Sequence, residues 1–176
     1  MPHPALSFAV ALTLALALAL ANARAGTAAA QARMTEARLS EPQVRDLVAR
    51  QERAWNAGDL AAWAATYAPG AVFTDQALGS NNRIVPYGQS RLPEALAQAR
   101  RTLRRSKVEE SVRIRRVSIS ADGRGAAALA DVRTRIETRG AVRWSCAERL
   151  ESMALVRGRL KTVRQTDTLV RCRRAP

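Results

Sequence analysis

Two carboxylates stand where a proton-transfer group could be built. Asp75 closes the short run Ala71-Val72-Phe73-Thr74-Asp75, and Glu148 falls in an alternation with Val142, Trp144, Cys146 and Leu150, all apolar. A carboxylate drawn against an apolar wall has its charged form penalised, so its pKa climbs toward neutrality and it can take or give a proton. Each residue also has a purely structural alternative. Asp75 could be a solvated strand-end residue capping the next turn, and Glu148 could be half of an ion pair with Arg164. Histidine chemistry is excluded beyond the extreme N-terminus, because His3 is the only histidine; that leaves no His-dependent triad and no His-containing zinc site. Cys146 and Cys172 are too far apart in sequence for a metal motif. Gly123-Arg124-Gly125 precedes no helix, so it reads as a hairpin turn rather than a phosphate loop. No metal and no cofactor is implied.

The elements that must position these carboxylates can be read from caps and periodicity. Ser40-Glu41-Pro42-Gln43 is a capping box with proline in the first turn, and Val44, Leu47, Val48 and Trp55 follow at helical spacing, so a first helix runs to about Ala57. Gly58 supplies a left-handed stop, and Asp59 caps a second helix carrying Leu60, Trp63 and Tyr67. Pro69-Gly70 ends it, and Ala71 to Asp75 is a short strand. Gln76 to Gln89 reads as a long loop with a brief strand at 83–86. Ser90 caps a third helix whose Leu92, Leu96, Ala99 and Leu103 face the core.

The second half is a meander of strands. Val112 and Ile114 alternate in one phase and Val117 and Ile119 in the other, which predicts a bulge near Arg115-Arg116. Asp122-Gly123 turns the chain into a strand over 126–139 with Val132 and Ile136 inward, and Arg139-Gly140 turns it again. The strand over 141–156 places Val142, Trp144, Cys146, Glu148 and Leu150 on the inward face. A three-residue loop, Arg157 to Arg159, then sets Trp144 opposite Cys172 and leaves Cys146 a diagonal neighbour, so that a modest bulge closes a Cys146–Cys172 bond.

The stretch Trp55-Asn56-Ala57-Gly58-Asp59-Leu60, running on to Tyr67-Ala68-Pro69-Gly70-Ala71-Val72-Phe73-Thr74-Asp75, resembles the nuclear-transport-factor-2-like superfamily, particularly its small bacterial SnoaL-like members. The resemblance covers roughly Ser40 to Cys172. It implies an α+β fold: a cone-shaped roll with three N-terminal helices packed on a strongly curved, mainly antiparallel sheet, over residues 40–174. It also implies a pocket at the open end of the cone. Trp63, Tyr67, Asp75, Tyr87, Trp144 and Glu148 are then the ligand-binding candidates, with Asp75 and Glu148 the catalytic ones. Trp55 and Phe73 read as core. The scaffold hosts isomerases, dehydratases, dimerisation modules and ligand binders, so the fold does not choose among them. The leading expectation is a small, largely apolar ligand in the cone and a homodimer formed through the outer sheet face. The alternative is an isomerase or lyase of the ketosteroid-isomerase-like type, with Asp75 as base and Tyr67 or Tyr87 as oxyanion donor.

Residues 5–21 form an almost unbroken Ala/Leu run, shorter than a bilayer-spanning helix requires and followed by small residues at signal-peptidase spacing. Residues 1–25 therefore read as a signal peptide, cleaved after Ala23 or Ala25, with an uncleaved anchor as the other reading; 26–39 carries no core pattern and reads as a disordered mature terminus. A periplasmic or secreted location follows. Oxidising conditions there favour a disulfide between Cys146 and Cys172, the only cysteines; two buried small hydrophobes are the alternative. The net charge is +14, and all but two of the 29 basic residues, Lys107 and Lys161, are arginine. Arginines spread over every element describe a solvated surface, not a specific nucleic-acid footprint. The nearest approach to a patch, Arg100, Arg101, Arg104, Arg105 and Lys107, leaves an anionic envelope partner as a third reading.

Overall fold

Helix α1 (Glu41–Asn56) starts at the capping box: the Ser40 N–H and hydroxyl both donate to Gln43 Oε1, at 2.8 and 3.0 Å. It is the first helix of a computed structural model that describes residues 38–172. The expected signal peptide, and the expected disordered terminus up to residue 37, lie outside the described residues. Leu39 already belongs to the fold: it is buried, and its N–H donates to the Gly123 carbonyl at 2.8 Å. Gly58 takes the left-handed φ of +68° that stops α1, and Asp59 Oδ1 accepts from the Ala62 N–H at 2.9 Å to start α2 (Leu60–Ala65).

The chain leaves α2 one turn earlier than the periodicity predicts. Tyr67 is the first residue of strand β1 (Tyr67–Leu78), whose Val72–Leu78 portion pairs with β2 (Ile84–Arg91). The long loop expected over 76–89 is thus a hairpin whose only turn is the Gly79–Arg83 segment. Pro86 misled the reading. It sits on an edge strand, where a missing N–H costs no ladder bond that the sheet needs. Because β2 runs on to Arg91, Ser90 lies in a strand opposite Phe73, and Arg91 is the cap of α3 (Leu92–Arg105), with Glu94 Oε2 accepting from its N–H at 3.1 Å.

Strands β3 (Lys107–Ile119), β4 (Gly125–Thr138), β5 (Ala141–Val156) and β6 (Arg159–Val170) complete one six-stranded, strongly curved sheet in the order β2-β1-β6-β5-β4-β3. Only the β1–β6 pair is parallel. The bulge expected near Arg115 is present between Ile114 and Arg116. The β5–β6 turn differs from the expected three-residue loop: Arg157 and Gly158 both have positive φ, the pattern of a two-residue hairpin turn, and Val156 pairs with Arg159. A register shift at Ser152/Met153 leaves Val163 as an extra residue in β6. That shift moves Cys146 opposite Val170 and brings it to Cys172, with 5.1 Å between Cα atoms across the disulfide.

Two apolar clusters hold the helices on the concave face. Val44, Leu47 and Val48 of α1 pack on Ala128 and Met153, while Ala54 of α1 joins Trp63, Tyr67, Ala71 and Phe73. Burying a side chain of the size of Leu47, which is 1% exposed, contributes about 1.5–3 kcal/mol. The aromatic cluster is continuous: the Trp63 ring centroid lies 5.6 Å from Trp55, 4.8 Å from Tyr67 and 5.8 Å from Phe73.

Candidate functional site

The aromatic cluster forms one end of a cavity of about 290 Å³ between the helices and the concave sheet. Trp55, Trp63 and Phe73 line it from α1, α2 and β1. Gln98, Ala99 and Thr102 line it from α3, and Val108, Val132, Ile136 and Ala147 from the sheet. Small residues make the room. Where Ala99 and Ala147 stand, larger side chains would fill the space that a ligand needs.

A charged cluster also lines the cavity, from the sheet. Arg149 of β5 is bound on both sides: Nη1 and Nη2 donate to Glu110 of β3 at 2.7 and 3.3 Å, and Nε and Nη2 donate to Asp167 of β6 at 2.8 and 3.1 Å. Burial works against the guanidinium charge, but Asp167 and Glu110 more than offset it, so Arg149 holds its proton more firmly than an exposed arginine. Gln165 Nε2 donates to Asp167 Oδ2 at 2.9 Å, and the Tyr67 hydroxyl donates to Gln165 Oε1 at 2.7 Å. Burial, then the charge of Glu151, raises the Tyr67 pKa well above 10, which keeps the phenol a donor.

Asp75 joins this cluster from β1. It is the parallel-strand partner of Asp167 and faces Gly88 of β2. Burial and then the neighbouring Asp167 charge raise its pKa above the ordinary 3.8, with Arg149 pulling the other way. Tyr87 lines the same cavity from β2 although the residue as a whole is 59% exposed; partial burial, then Asp75 and Asp167, raise its pKa. One donor in this region is unmatched. The Trp55 Nε1 is buried and has no hydrogen-bond partner among the described residues.

Of the residues singled out from sequence, Trp63, Asp75 and Tyr87 come together at the cavity. Tyr67 lies behind it, joined to Asp167 through Gln165. Trp144 and Glu148 belong to the opposite face of β5. Trp144 is 49% exposed under the Arg133 guanidinium, 4.1 Å from the ring centroid, and Glu148 pairs with Arg115, not with Arg164 as the alternation suggested. The face assignment of β5 is therefore inverted: Ser145, Ala147, Arg149 and Glu151 point inward. Alternation misleads here because the outer face carries the apolar residues Val142, Trp144 and Leu150, while the inner face carries charges satisfied by other strands. Sequence reasoning missed Arg149, Glu110, Asp167 and the cavity role of Trp55. The available signal was the small residues Ser145 and Ala147, which alternate with Arg149 and suit a cavity wall. Among the described residues no group of three or more His, Cys, Asp or Glu is placed to hold a metal ion.

The family model for the SnoaL-like domain matches residues 48–159. Among solved structures, a ketosteroid isomerase-like protein from Erwinia carotovora atroseptica is similar at 14% identity with a TM-score of 0.59, covering 76% of this chain and 100% of that one. The beta subunit of the benzoate 1,2-dioxygenase from Burkholderia mallei is similar at 17% identity and a TM-score of 0.56, covering 75% and 91%. A nuclear-transport-factor-2-like protein of unknown function from Shewanella oneidensis is similar at 16% identity and a TM-score of 0.52, covering 72% and 97%. At such identities the likeness shows the fold alone. No curated protein matches the chain.

Proposed function

The chain belongs to the SnoaL-like domain family, and from that premise we propose that it binds a small, largely apolar ligand in the cavity between helices and sheet. The observation that carries this reading is a cavity of about 290 Å³ walled largely by aromatic and small side chains, with a charged cluster in the sheet, beside a buried Trp55 N–H without a partner among the described residues. An unpaired buried donor costs about 1–3 kcal/mol, and a ligand oxygen placed against it would remove that cost. The ligand therefore has an apolar body and presents an acceptor to Trp55, either an oxygen or the face of an aromatic ring. Export and a homodimer belong to the same proposal. The Cys146–Cys172 bond suits an oxidising compartment, and Val142, Trp144 and Leu150, exposed on the outer face of β5, suit a dimer face.

Native mass spectrometry of the protein purified from its own envelope tests all three. The expected result is a dimer beginning near Arg24 or Gly26 that retains a small molecule, and whose Trp63→Ala variant does not. An intact Met1 overturns the cleaved signal peptide in favour of a membrane anchor, a monomer overturns the dimer, and an empty wild-type cavity that also takes up no apolar probe overturns the binding reading.

A second reading has its own support in the placement of Asp75. A carboxyl with a raised pKa, lining the cavity beside the Tyr87 phenol, is suited to proton shuttling. Asp75 would take a proton from a carbon next to a carbonyl, and the C–H pair would form a carbon–carbon double bond as the carbonyl π pair moves to the oxygen near Tyr87. Where that carbon also adjoins a second double bond, the proton would return to the far end of the resulting dienolate as the carbonyl re-forms. The test is exchange of that ligand's carbon-bound proton with deuterated water. Asp75→Asn should abolish the exchange, and exchange at the wild-type rate in the variant would remove Asp75 as base.

A further inference from the structure

We infer that the cavity selects a cationic apolar ligand, a protonated amine carried on a ring or a short hydrocarbon, over a carboxylate or phosphate of similar shape. The inference rests on the ligand-binding reading of the same cavity and adds the sign of the ligand's charge. Among the described residues three carboxyl groups line the space, Asp75, Glu110 and Asp167, against one cation, Arg149.

That cation is already committed. Four of the five N–H donors of Arg149 are engaged by Glu110 and Asp167, so its charge is already matched by two carboxylates and an anionic ligand that approached it would meet their repulsion. Asp75, in contrast, forms no ion pair among the described residues. A ligand ammonium placed against Asp75 gives it the counter-charge it lacks. The aromatic lining acts in the same direction, because Trp55, Trp63, Phe73 and Tyr87 border the same space and a cation over an aromatic face is stabilised by about 0.5–2 kcal/mol, the more so when desolvated.

The protein's overall charge makes the sign of the selectivity diagnostic. A chain of net charge +14 draws anions and repels amines at long range. A preference for the amine must therefore arise locally, where these carboxylates and rings face the ligand. The groups around Asp75 also fix a pH signature: Asp167 on β6, Arg149 on β5, Tyr87 on β2 and Glu110 on β3, with no charged residue lining the cavity from α3. In the empty cavity, burial and Asp167 favour protonated Asp75. An ammonium favours the ionised form, so amine binding expels a proton and tightens as pH rises through the Asp75 titration.

Calorimetric titration of the purified exported protein with 2-naphthylmethylamine, 2-naphthylmethanol and 2-naphthoate tests the inference, at about neutral pH and near-physiological salt, where long-range fields are largely screened. The expected order is amine, alcohol, carboxylate, each step about tenfold or more, which corresponds to about 1.4 kcal/mol. Asp75→Asn, checked for an unchanged melting temperature, should bring the amine to within about threefold of the alcohol and remove the tightening of amine binding with rising pH that the wild type shows in a titration series begun in acid. Equal affinities for all three probes overturn the charge inference and leave the cavity reading standing. A carboxylate that binds tightest overturns it in favour of Arg149 as an anion site. Binding of none of the three overturns both readings.

Discussion

Gly88 leaves the space that Asp75 occupies: a Cβ at Gly88 would lie 3.2 Å from Asp75 Oδ2 and 3.4 Å from Asp75 Cβ, and the two residues face each other across β1 and β2. The glycine therefore sets where the carboxyl sits in the cavity wall.

Gly88→Ala separates placement from stability. Alanine in a strand interior gains about 0.5–1 kcal/mol over glycine, while the close approach to Asp75 costs a similar amount as the side chain gives way. The expected variant unfolds within about 1 kcal/mol of wild type in urea, yet binds 2-naphthylmethylamine about tenfold more weakly. Unchanged amine affinity would show that the position of Asp75 does not matter to the ligand.

Removing Arg149 should be severe. Arg149→Met leaves Glu110 and Asp167, 9% and 21% exposed at their side chains, without the cation that both of them bind. Breaking a buried ion pair from one side costs about 3–5 kcal/mol. The urea midpoint should fall accordingly, and replacing the stranded carboxylates as well, by Glu110→Gln and Asp167→Asn in the Arg149→Met background, should recover part of the loss. A loss that stays the same without the two carboxylates would mean that packing, not charge, is what Arg149 provides.

The frame of this fold was legible because its signals are local. Ser40 with Gln43, Gly58, and Asp59 with Ala62 act within one turn of chain, and each is where the residues place it. The candidate site was only partly legible. Asp75, Trp63 and Tyr87 reach the cavity, but Arg149, Glu110 and Asp167 have meaning only once β3, β5 and β6 stand side by side. On β5 a single strand's alternation cannot distinguish a core face from an exposed apolar one. The clue lies in partners more than 15 residues away, which no periodicity reports.

The bond between Cys146 and Cys172 spans a sequence separation of 26 and ties the end of β6 to β5. Thiol titration of the unfolded, unreduced protein should find no free thiol. Cys146→Ser should lower the unfolding free energy by about 3 kcal/mol on the chain-entropy argument. Two reactive thiols in the protein purified from its own cells would place the bond outside its working state.

Glu151 provides the pH test of the interior. It is 2% exposed, and its Oε2 accepts from the Thr162 hydroxyl at 2.9 Å, which in turn accepts from Gln51 Nε2 at 2.9 Å. Burial raises its pKa above the ordinary 4.5 despite Arg149 and Thr162, which pull the other way. The sign follows. Above the unfolded value the unfolded chain has released this proton while the native protein still holds it, so the native state binds more protons and stability falls as pH rises toward the folded pKa. Glu151→Gln keeps an acceptor for Thr162 and removes the titration, and its amide can donate to Gln51 Oε1, which is buried without a partner among the described residues. The stability of the Gln variant relative to wild type should therefore increase between acid and neutral pH, as read from urea midpoints at several pH values. A difference that moves the other way would mean that Glu151 is ionised in the native state and that its charge stabilises the fold.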